Sequence, residues 1–160
     1  MRRFLPLCFF LALLTATVGF LRGLNYWVFY EIQNRLEIRV TGKFTPDFFR
    51  TGFQIKNGGF FWKDKVQLVD GQVQVRYDPW TIFSQNGLRI IVKSDDADIR
   101  LLGNWAKWKG VEAAHAELLY ADFVLGAHRL AAINEIEVRS PSFQFVVKNI
   151  DRSTEVLGQK

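Results

Sequence analysis

Residues 72–77 read Gln-Val-Gln-Val-Arg-Tyr, and polar and apolar side chains alternate at every position. The same period of two recurs in Phe53-Gln54-Ile55 and at Leu88, Ile90 and Val92. Successive side chains of a β-strand point to opposite faces, so this alternation gives a sheet one apolar and one polar face. The pattern therefore predicts a mainly β fold built from antiparallel strands.

Three polar segments are predicted to be turns between short strands. They are Asn57-Gly58-Gly59, Asp70-Gly71 and Ser94-Asp95-Asp96. Gly, Asn and Asp tolerate the positive φ that tight turns require. Division of the chain at these segments gives roughly eight or nine strands.

Two prolines predict short helical insertions in the sheet. Thr45 is a candidate N-cap before Pro46, and Asp78-Pro79-Trp80 precedes Ile82 in the same way. Proline is favoured at the first position of a helix because its missing N–H has no partner there in any case. The stretch 104–110 is compatible with a loop or with a single helical turn.

The N-terminal run from Phe4 to Leu21 contains 18 residues without a charge. A helix of that length is about 27 Å long, close to the hydrocarbon thickness of a bilayer. Arg2 and Arg3 precede the run. The positive-inside rule then predicts a cytoplasmic N-terminus and export of the rest of the chain.

The helix is predicted to continue beyond the charge-free run, from about residue 4 to about residue 34, because Leu21, Leu24, Val28 and Ile32 follow a helical spacing. It would leave the bilayer near Arg22. Four aromatic residues are predicted to lie at the membrane–water interface. They are Tyr26, Trp27, Phe29 and Tyr30.

A cleaved signal peptide is the alternative interpretation of the N-terminal segment. Thr17 and Gly19 form the only acceptable pair of small residues for cleavage, and the match is poor. Retention as a single-pass anchor is favoured, because aromatic residues follow the apolar run directly.

Composition excludes several classes of protein. The chain has 160 residues, of which 49% are hydrophobic, and this is too apolar for a disordered chain. One Cys excludes an internal disulfide. The net charge is +5, but basic and acidic residues are interspersed, so no basic stripe predicts nucleic-acid binding.

No catalytic or metal-binding pattern is present in the sequence. Cys8 lies within the apolar run, and His115 and His128 have no nucleophile pattern near them. The segment Asp95-Asp96-Ala97-Asp98 lacks the glycine and the bidentate glutamate of a calcium loop. The sequence predicts a protein that is not an enzyme and that has no metal and no cofactor.

The apolar face of the sheet must be buried against something. No long exported helix is predicted to cover it, so the face either closes into a core or remains partly open as a groove for an acyl chain. The candidate lining residues of such a groove come from three predicted strand regions. They are Val73, Val75, Tyr77, Leu88, Ile90, Val92, Phe143 and Phe145.

The chain resembles AsmA-like proteins. The resemblance begins with Met1-Arg2-Arg3-Phe4-Leu5 and the single span, and continues through Phe53-Gln54-Ile55, Gly58-Gly59-Phe60-Phe61-Trp62 and Pro79-Trp80-Thr81-Ile82-Phe83 to Leu101. It implies a protein anchored in the inner membrane, with a curved, taco-shaped sheet in the periplasm. It also implies a role in carrying phospholipid between membranes.

A second resemblance concerns the short anchored subunit of the lipopolysaccharide export bridge, which has one N-terminal span and a β-jellyroll of similar size. The length of the chain fits this subunit better than it fits AsmA-like proteins, whereas the local sequence pattern fits the subunit less well. Either case would use open sheet edges that join the sheet of a partner.

The predicted organisation has three parts: residues 1–34 as the anchor, 35–148 as the exported β domain and 149–160 as a polar tail. The expected function is lipid binding or transfer in the cell envelope, with membrane lipids as partners. The alternative is a scaffold or accessory subunit that pairs edge to edge with a larger envelope protein or with itself. A tethered sensor is a third possibility, although no cluster of converging charges indicates one.

Overall fold

The computed structural model describes residues 5–47, 50–63, 65–102, 113–127 and 130–151. Within these ranges it contains two helices and seven strands. They are α1 (Leu5–Leu36), β1 (Ile38–Pro46), β2 (Gly52–Trp62), β3 (Val66–Asp78), α2 (Thr81–Ser84), β4 (Leu88–Leu101), β5 (Ala113–Leu125), β6 (Leu130–Arg139) and β7 (Gln144–Asp151).

The single N-terminal helix is confirmed, and α1 is continuous from Leu5 to Leu36. Its segment from Cys8 onward is long and apolar enough to cross a membrane. The hydroxyl of Thr15 donates to the carbonyl of Leu11, and that of Thr17 donates to the carbonyl of Leu13. Both hydroxyls are thus satisfied within the helix, as an apolar surrounding requires.

The strands form one antiparallel sheet in which each strand pairs with its neighbours in the chain, in the order β1 to β7. This meander confirms the prediction of an antiparallel sheet after an apolar helix. The described strands do not follow the crossed-over order of a jellyroll, and the sheet that they form is an open meander.

The three segments predicted to be turns lie inside long strands, and this prediction was wrong. Asn57-Gly58-Gly59 belongs to β2, Asp70-Gly71 to β3, and Asp95-Asp96 to β4. Asn57 and Asp96 have positive φ, as in turns, yet the strands continue on both sides of them. A left-handed residue within a strand produces a local kink that rotates the next side chains to the other face.

The kink at Asn57 in β2 requires small residues where β1 and β2 come close together, and Gly42 is one of them. Its φ is 120°, and a Cβ atom there would lie 2.8 Å from the Cα of Gly58 on the neighbouring strand. The pairing of β1 with β2 shifts register between Thr41 and Lys43. The two glycines therefore allow two kinked strands to stay close together.

The second half of α1 covers much of the apolar face of the sheet, although no covering helix was predicted. Val28 of α1 packs in one core cluster with side chains of β1 to β6, including the fully buried Val73 and Ile90. Six flat strands would be about 24 Å wide, roughly twice the diameter of a helix. The sheet therefore curves around α1, and its inner surface is called the concave face below.

A buried amide fixes the position of α1 on the sheet. Asn25 is completely buried, and its Nδ2 donates to the carbonyl of Asp47 at 2.9 Å. Its Oδ1 accepts from the backbone N–H of Gly52 at 3.0 Å and from the hydroxyl of Tyr77 at 2.6 Å. One side chain thus joins the helix to the end of β1, the start of β2 and the end of β3.

The short helical insertions have different outcomes. The one after Asp78-Pro79 is confirmed as α2, and the hydroxyl of Thr81 donates to the carbonyl of Asp78 at 2.6 Å. The one at Pro46 was wrong, because Pro46 is the last residue of β1, an edge strand, where the absence of an N–H does no harm. The stretch 104–110 lies outside the described residues. So does the tail after Asp151, while 149–151 belong to β7.

Replacement of Asn25 tests whether this amide holds the helix against the sheet. Asn25→Ala leaves the N–H of Gly52 and the hydroxyl of Tyr77 without their acceptor, which should lower the free energy of unfolding by about 2–4 kcal/mol. The measurement is urea unfolding of the full chain in a mild detergent. Asn34→Ala is the matched control, since Asn34 is exposed on the same helix and its replacement should change stability little.

Candidate functional site

An apolar cavity of about 220 Å³ lies between the last turns of α1 and the concave face. We call it the apolar cavity. Its lining carries no polar side chain among the described residues and comes from α1 and from β1 to β5. The lining residues are Phe29, Ile32, Leu36, Ile38, Val40, Phe53, Ile55, Phe60, Leu68, Val75, Val92, Ala121 and Phe123.

The apolar cavity exists because α1 ends before it has covered the whole concave face. Leu36 is the last residue of α1. The chain reverses direction at Glu37, whose φ is 54°, and then enters β1. Side chains of β4 and β5 that lie beyond this point, such as Val92 and Ala121, are only half-buried. The cavity is therefore the part of the concave face that the helix leaves uncovered.

The concave face continues past the cavity to the edge strand β7. Residues that are directly opposite one another in an antiparallel pair share a face of the sheet. The pairs connect Val73, Ser94, Leu119, Val138 and Phe145 in one row across β3 to β7. Phe145 is 53% exposed and Ile150 is 39% exposed, because α1 does not reach this strand.

The predicted groove residues divide into three groups. Val73, Val75, Tyr77, Leu88 and Ile90 point inward as predicted and are buried in the core cluster with α1, and of these five only Val75 also lines the apolar cavity. Val92 is half-buried and lines the apolar cavity together with Val75. The inward face was thus correctly identified, whereas the helix that covers it was not.

Phe143 and Phe145 lie outside the core. Phe143 precedes β7 in a turn closed by a hydrogen bond from the N–H of Ser140 to its carbonyl, and its side chain is 47% exposed. Phe145 lies on the concave face by register, but nothing in the described chain covers it. Neither lines the apolar cavity, and their assignment to a lipid-binding groove stays a prediction.

The four predicted interface aromatics do not behave alike. Tyr26, Trp27 and Tyr30 are exposed, although the ring of Tyr26 also contacts that of Phe44 at a centroid distance of 4.6 Å. Phe29 instead points to the sheet, with ring centroids 4.8 Å from Phe44 and 5.6 Å from Phe53. It belongs to the core packing, because it occupies the helix face next to the buried Val28 and Ile32.

Sequence reasoning missed two buried polar residues, Asn25 and Asp122, each of which forms several hydrogen bonds to other elements. Asn25 interrupts the apolar series Leu21, Leu24, Val28 at helical spacing, and a polar residue in such a series is a recognisable signal for a buried hydrogen bond. Asp122 lies in β5 between apolar neighbours and is 4% exposed.

Asp122 lies on the convex face of the sheet, opposite to the concave face, and is held there by two side chains. Arg89 donates Nε to Oδ1 at 3.0 Å and Nη2 to Oδ2 at 2.6 Å, and Asn134 donates to Oδ1 at 2.9 Å. Burial alone would raise the pKa of Asp122, but these hydrogen bonds lower it below its ordinary value. The buried carboxylate is therefore ionised at neutral pH.

The acidic residues of β4 form no metal site within the described residues, where no cluster of three or more metal-binding side chains occurs. His115 contacts two of these carboxylates, with Nδ1 3.1 Å from Asp98 and Nε2 3.2 Å from Asp96. The hydrogen bond to Asp98 raises the pKa of His115 above its ordinary value. His128 lies outside the described residues.

No family model matches the sequence, and comparisons with curated proteins and with solved structures give no match. The resemblance to AsmA-like proteins therefore stays an expectation that rests on the sequence patterns given above.

The hydroxyl of Tyr77 gives the Asn25 contact a measurable pH dependence. Burial raises the pKa of Tyr77 to about 12, from an ordinary value of 10.0. The contribution to stability is present below pH 10, where the phenol is protonated in both states, and it is lost as the pH rises from 10 towards 12.

Tyr77→Phe should lower the free energy of unfolding by about 1 kcal/mol at pH 7, because one hydrogen bond is lost while Gly52 remains bonded to Asn25. The difference from the unmodified chain should shrink above pH 10, where the phenol of the unfolded chain ionises. Urea unfolding of the full chain in detergent at several pH values measures this. Tyr30→Phe, at an exposed position of α1, is the control, and a difference that stayed constant with pH would contradict the argument.

Proposed function

We propose that the protein is a membrane-anchored lipid-binding protein that holds an acyl chain against the concave face of its sheet. It is AsmA-like on this proposal, with a cytoplasmic N-terminus, one span in the inner membrane and a periplasmic β domain. It performs no catalysis and takes part in lipid transfer between membranes or in envelope homeostasis. The observation that carries the proposal is the apolar cavity, whose described lining is entirely apolar.

The first half of α1 supports the anchoring. Phe9 is 72% exposed and Phe20 is 69% exposed, and the sheet covers neither. An exposed apolar surface of this extent is unfavourable in water and favourable in hydrocarbon. Arg2 and Arg3 at the start of the chain favour the cytoplasmic side for the N-terminus.

The position of Asn25 supports direct access to membrane lipid. The charge-free run ends at Leu21, and Asn25 already binds the sheet. Four residues of helix span about 6 Å. The sheet therefore begins within a few ångströms of the end of the span, where phospholipids of the outer leaflet are present.

The size of the apolar cavity indicates what it can hold. Its volume of about 220 Å³ equals that of about seven water molecules in the liquid, and a methylene group has a similar volume. Burial of each methylene contributes about 0.8 kcal/mol. A segment of one acyl chain fits this cavity, and the uncovered face towards β7 offers a path for the remainder.

Filling the apolar cavity tests the proposal. Ala121→Phe places a ring in the cavity from β5, and the full chain purified in mild detergent should then retain several-fold less lipid than the unmodified chain. Native mass spectrometry followed by lipid extraction gives the amount bound and the lipid class. The ring occupies the volume that the acyl segment would take.

Ala113→Phe is the matched control, because Ala113 is exposed in the same strand. It should leave lipid retention unchanged, and thermal unfolding of both variants shows that the fold is intact. An unmodified chain that carries no lipid, or an Ala121→Phe variant that carries as much as the control, would contradict the proposal.

A specific observation favours a second candidate function, a scaffold that extends its sheet with a partner. β1 and β7 are the edge strands of the described sheet. β1 is protected by the bulge after Thr41, by Lys43 and by Pro46, all of which discourage edge pairing. β7 instead exposes apolar side chains on both faces, with Val146 at 43% and Ile150 at 39%, and so is suited to strand addition.

Charges placed on β7 test this second candidate. Val146→Lys combined with Ile150→Lys should convert a self-associated or partner-bound chain to a monomer, because exposed lysines on an edge strand oppose pairing. Size-exclusion chromatography with light scattering in detergent measures the mass. Val69→Lys, at an exposed position of the interior strand β3, should have no effect. A strictly monomeric unmodified chain without a copurifying protein would exclude the scaffold.

A further inference from the structure

A second cavity, of about 560 Å³, lies at the end of the sheet beside Leu21 of α1. Its charged lining consists of Arg50, Arg76, Arg89 and Asp78, and we call it the arginine cavity. Three guanidinium groups accompany one carboxylate, so the lining is net positive. The charged lining of the arginine cavity thus contrasts with the entirely apolar described lining of the apolar cavity.

Two of the four charged groups are already engaged. Arg89 is held by its two hydrogen bonds to the buried Asp122. Asp78 accepts a hydrogen bond at 3.0 Å from the N–H of Trp80, at the start of α2. These contacts fix one guanidinium at the wall of the cavity and direct the carboxylate to the helix.

Arg50 and Arg76 are the groups available to a ligand. Arg50 lies between β1 and β2, Arg76 lies in β3, and both side chains are exposed. Within the part of the chain that the structure describes, neither forms an ion pair. Both line the same cavity, so an anion placed there could contact both.

We infer that the arginine cavity binds the phosphate of a membrane phospholipid headgroup, an inference that rests on the anchoring proposed above. A guanidinium presents two parallel N–H groups that match the oxygens of a phosphate, and its charge shortens and strengthens these hydrogen bonds. Arg50 and Arg76, which have no ion-pair partner among the described residues, and Arg89, which is held in place by Asp122, form a receptor for one phosphate diester.

The position of the arginine cavity relative to the membrane favours a lipid as the source of the phosphate. Leu21 is the last residue of the charge-free run, and Arg22 follows it. The cavity wall therefore includes the residue at which the span ends, which is the level of the headgroups in the proposed orientation. A phospholipid of that leaflet can reach the arginines without leaving the membrane.

The test uses the full chain in mild detergent and native mass spectrometry. The probes are phosphatidylglycerol, diacylglycerol with the same acyl chains, and inorganic phosphate. The unmodified chain should prefer phosphatidylglycerol to diacylglycerol. Arg50→Gln combined with Arg76→Gln should reduce that preference about tenfold, because charge-assisted hydrogen bonds to the phosphate are lost.

The matched control is Arg100→Gln combined with Arg139→Gln. It removes the same charge from two exposed residues at the other end of the strands. The control should keep the full preference for phosphatidylglycerol. An equal loss in the control would mean that total charge alone attracts the lipid, and an unchanged preference in the Arg50/Arg76 variant would mean that the cavity does not bind the headgroup. Either result overturns the inference.

Inorganic phosphate separates the two sources of the ligand. Binding of inorganic phosphate that is as strong as that of phosphatidylglycerol, and that also requires Arg50 and Arg76, would make the cavity a site for free phosphate and would overturn its assignment to a lipid. Ala121→Phe distinguishes this inference from the proposed function. It should weaken retention of diacylglycerol and phosphatidylglycerol alike, whereas the arginine variant should affect only the lipid with a phosphate.

Discussion

The amide of Asn25 is the contact on which the arrangement of helix and sheet depends. A buried polar group is costly unless all its partners are present, so the helix has one position in which Asp47, Gly52 and Tyr77 are satisfied together. Apolar side chains around Val28 would tolerate small shifts along the sheet, because their packing is not directional. The amide removes that freedom and fixes the place on the sheet at which the second half of α1 begins to cover it.

A fixed helix divides the concave face into a covered and an uncovered part. Val73 and Ile90 are fully buried beneath α1, whereas Val92 and Ala121 lie beyond its end beside the apolar cavity. The same alternation of side chains therefore supplies both the core and the candidate binding surface. The length of α1 after Asn25, and not the composition of the strands, decides which residue has which role.

The sequence was sufficient to predict the helix, the antiparallel strands and the inward face at Val73 and Ile90, because these follow from periodicity. It was insufficient at Asn57 and Asp96, since a residue with positive φ serves a turn and a kink within a strand equally well. Only pairing with the neighbouring strands decides between them. The packing of α1 on the sheet was missed because the helical spacing marks Asn25 as a polar residue in an apolar series but does not show its partners, which lie 22 to 52 residues away in the chain.

The two proposed functions use one surface, because growth of the sheet past β7 would lengthen the concave face. Phe145 lies in the row that begins at Val73, and it is exposed only because α1 does not reach it. A strand added beside β7 would continue that apolar row, while the bulge and Pro46 disfavour growth beyond β1. Growth in one direction would carry the uncovered face away from the helix, and an acyl chain would then find a longer apolar path on the same side of the sheet.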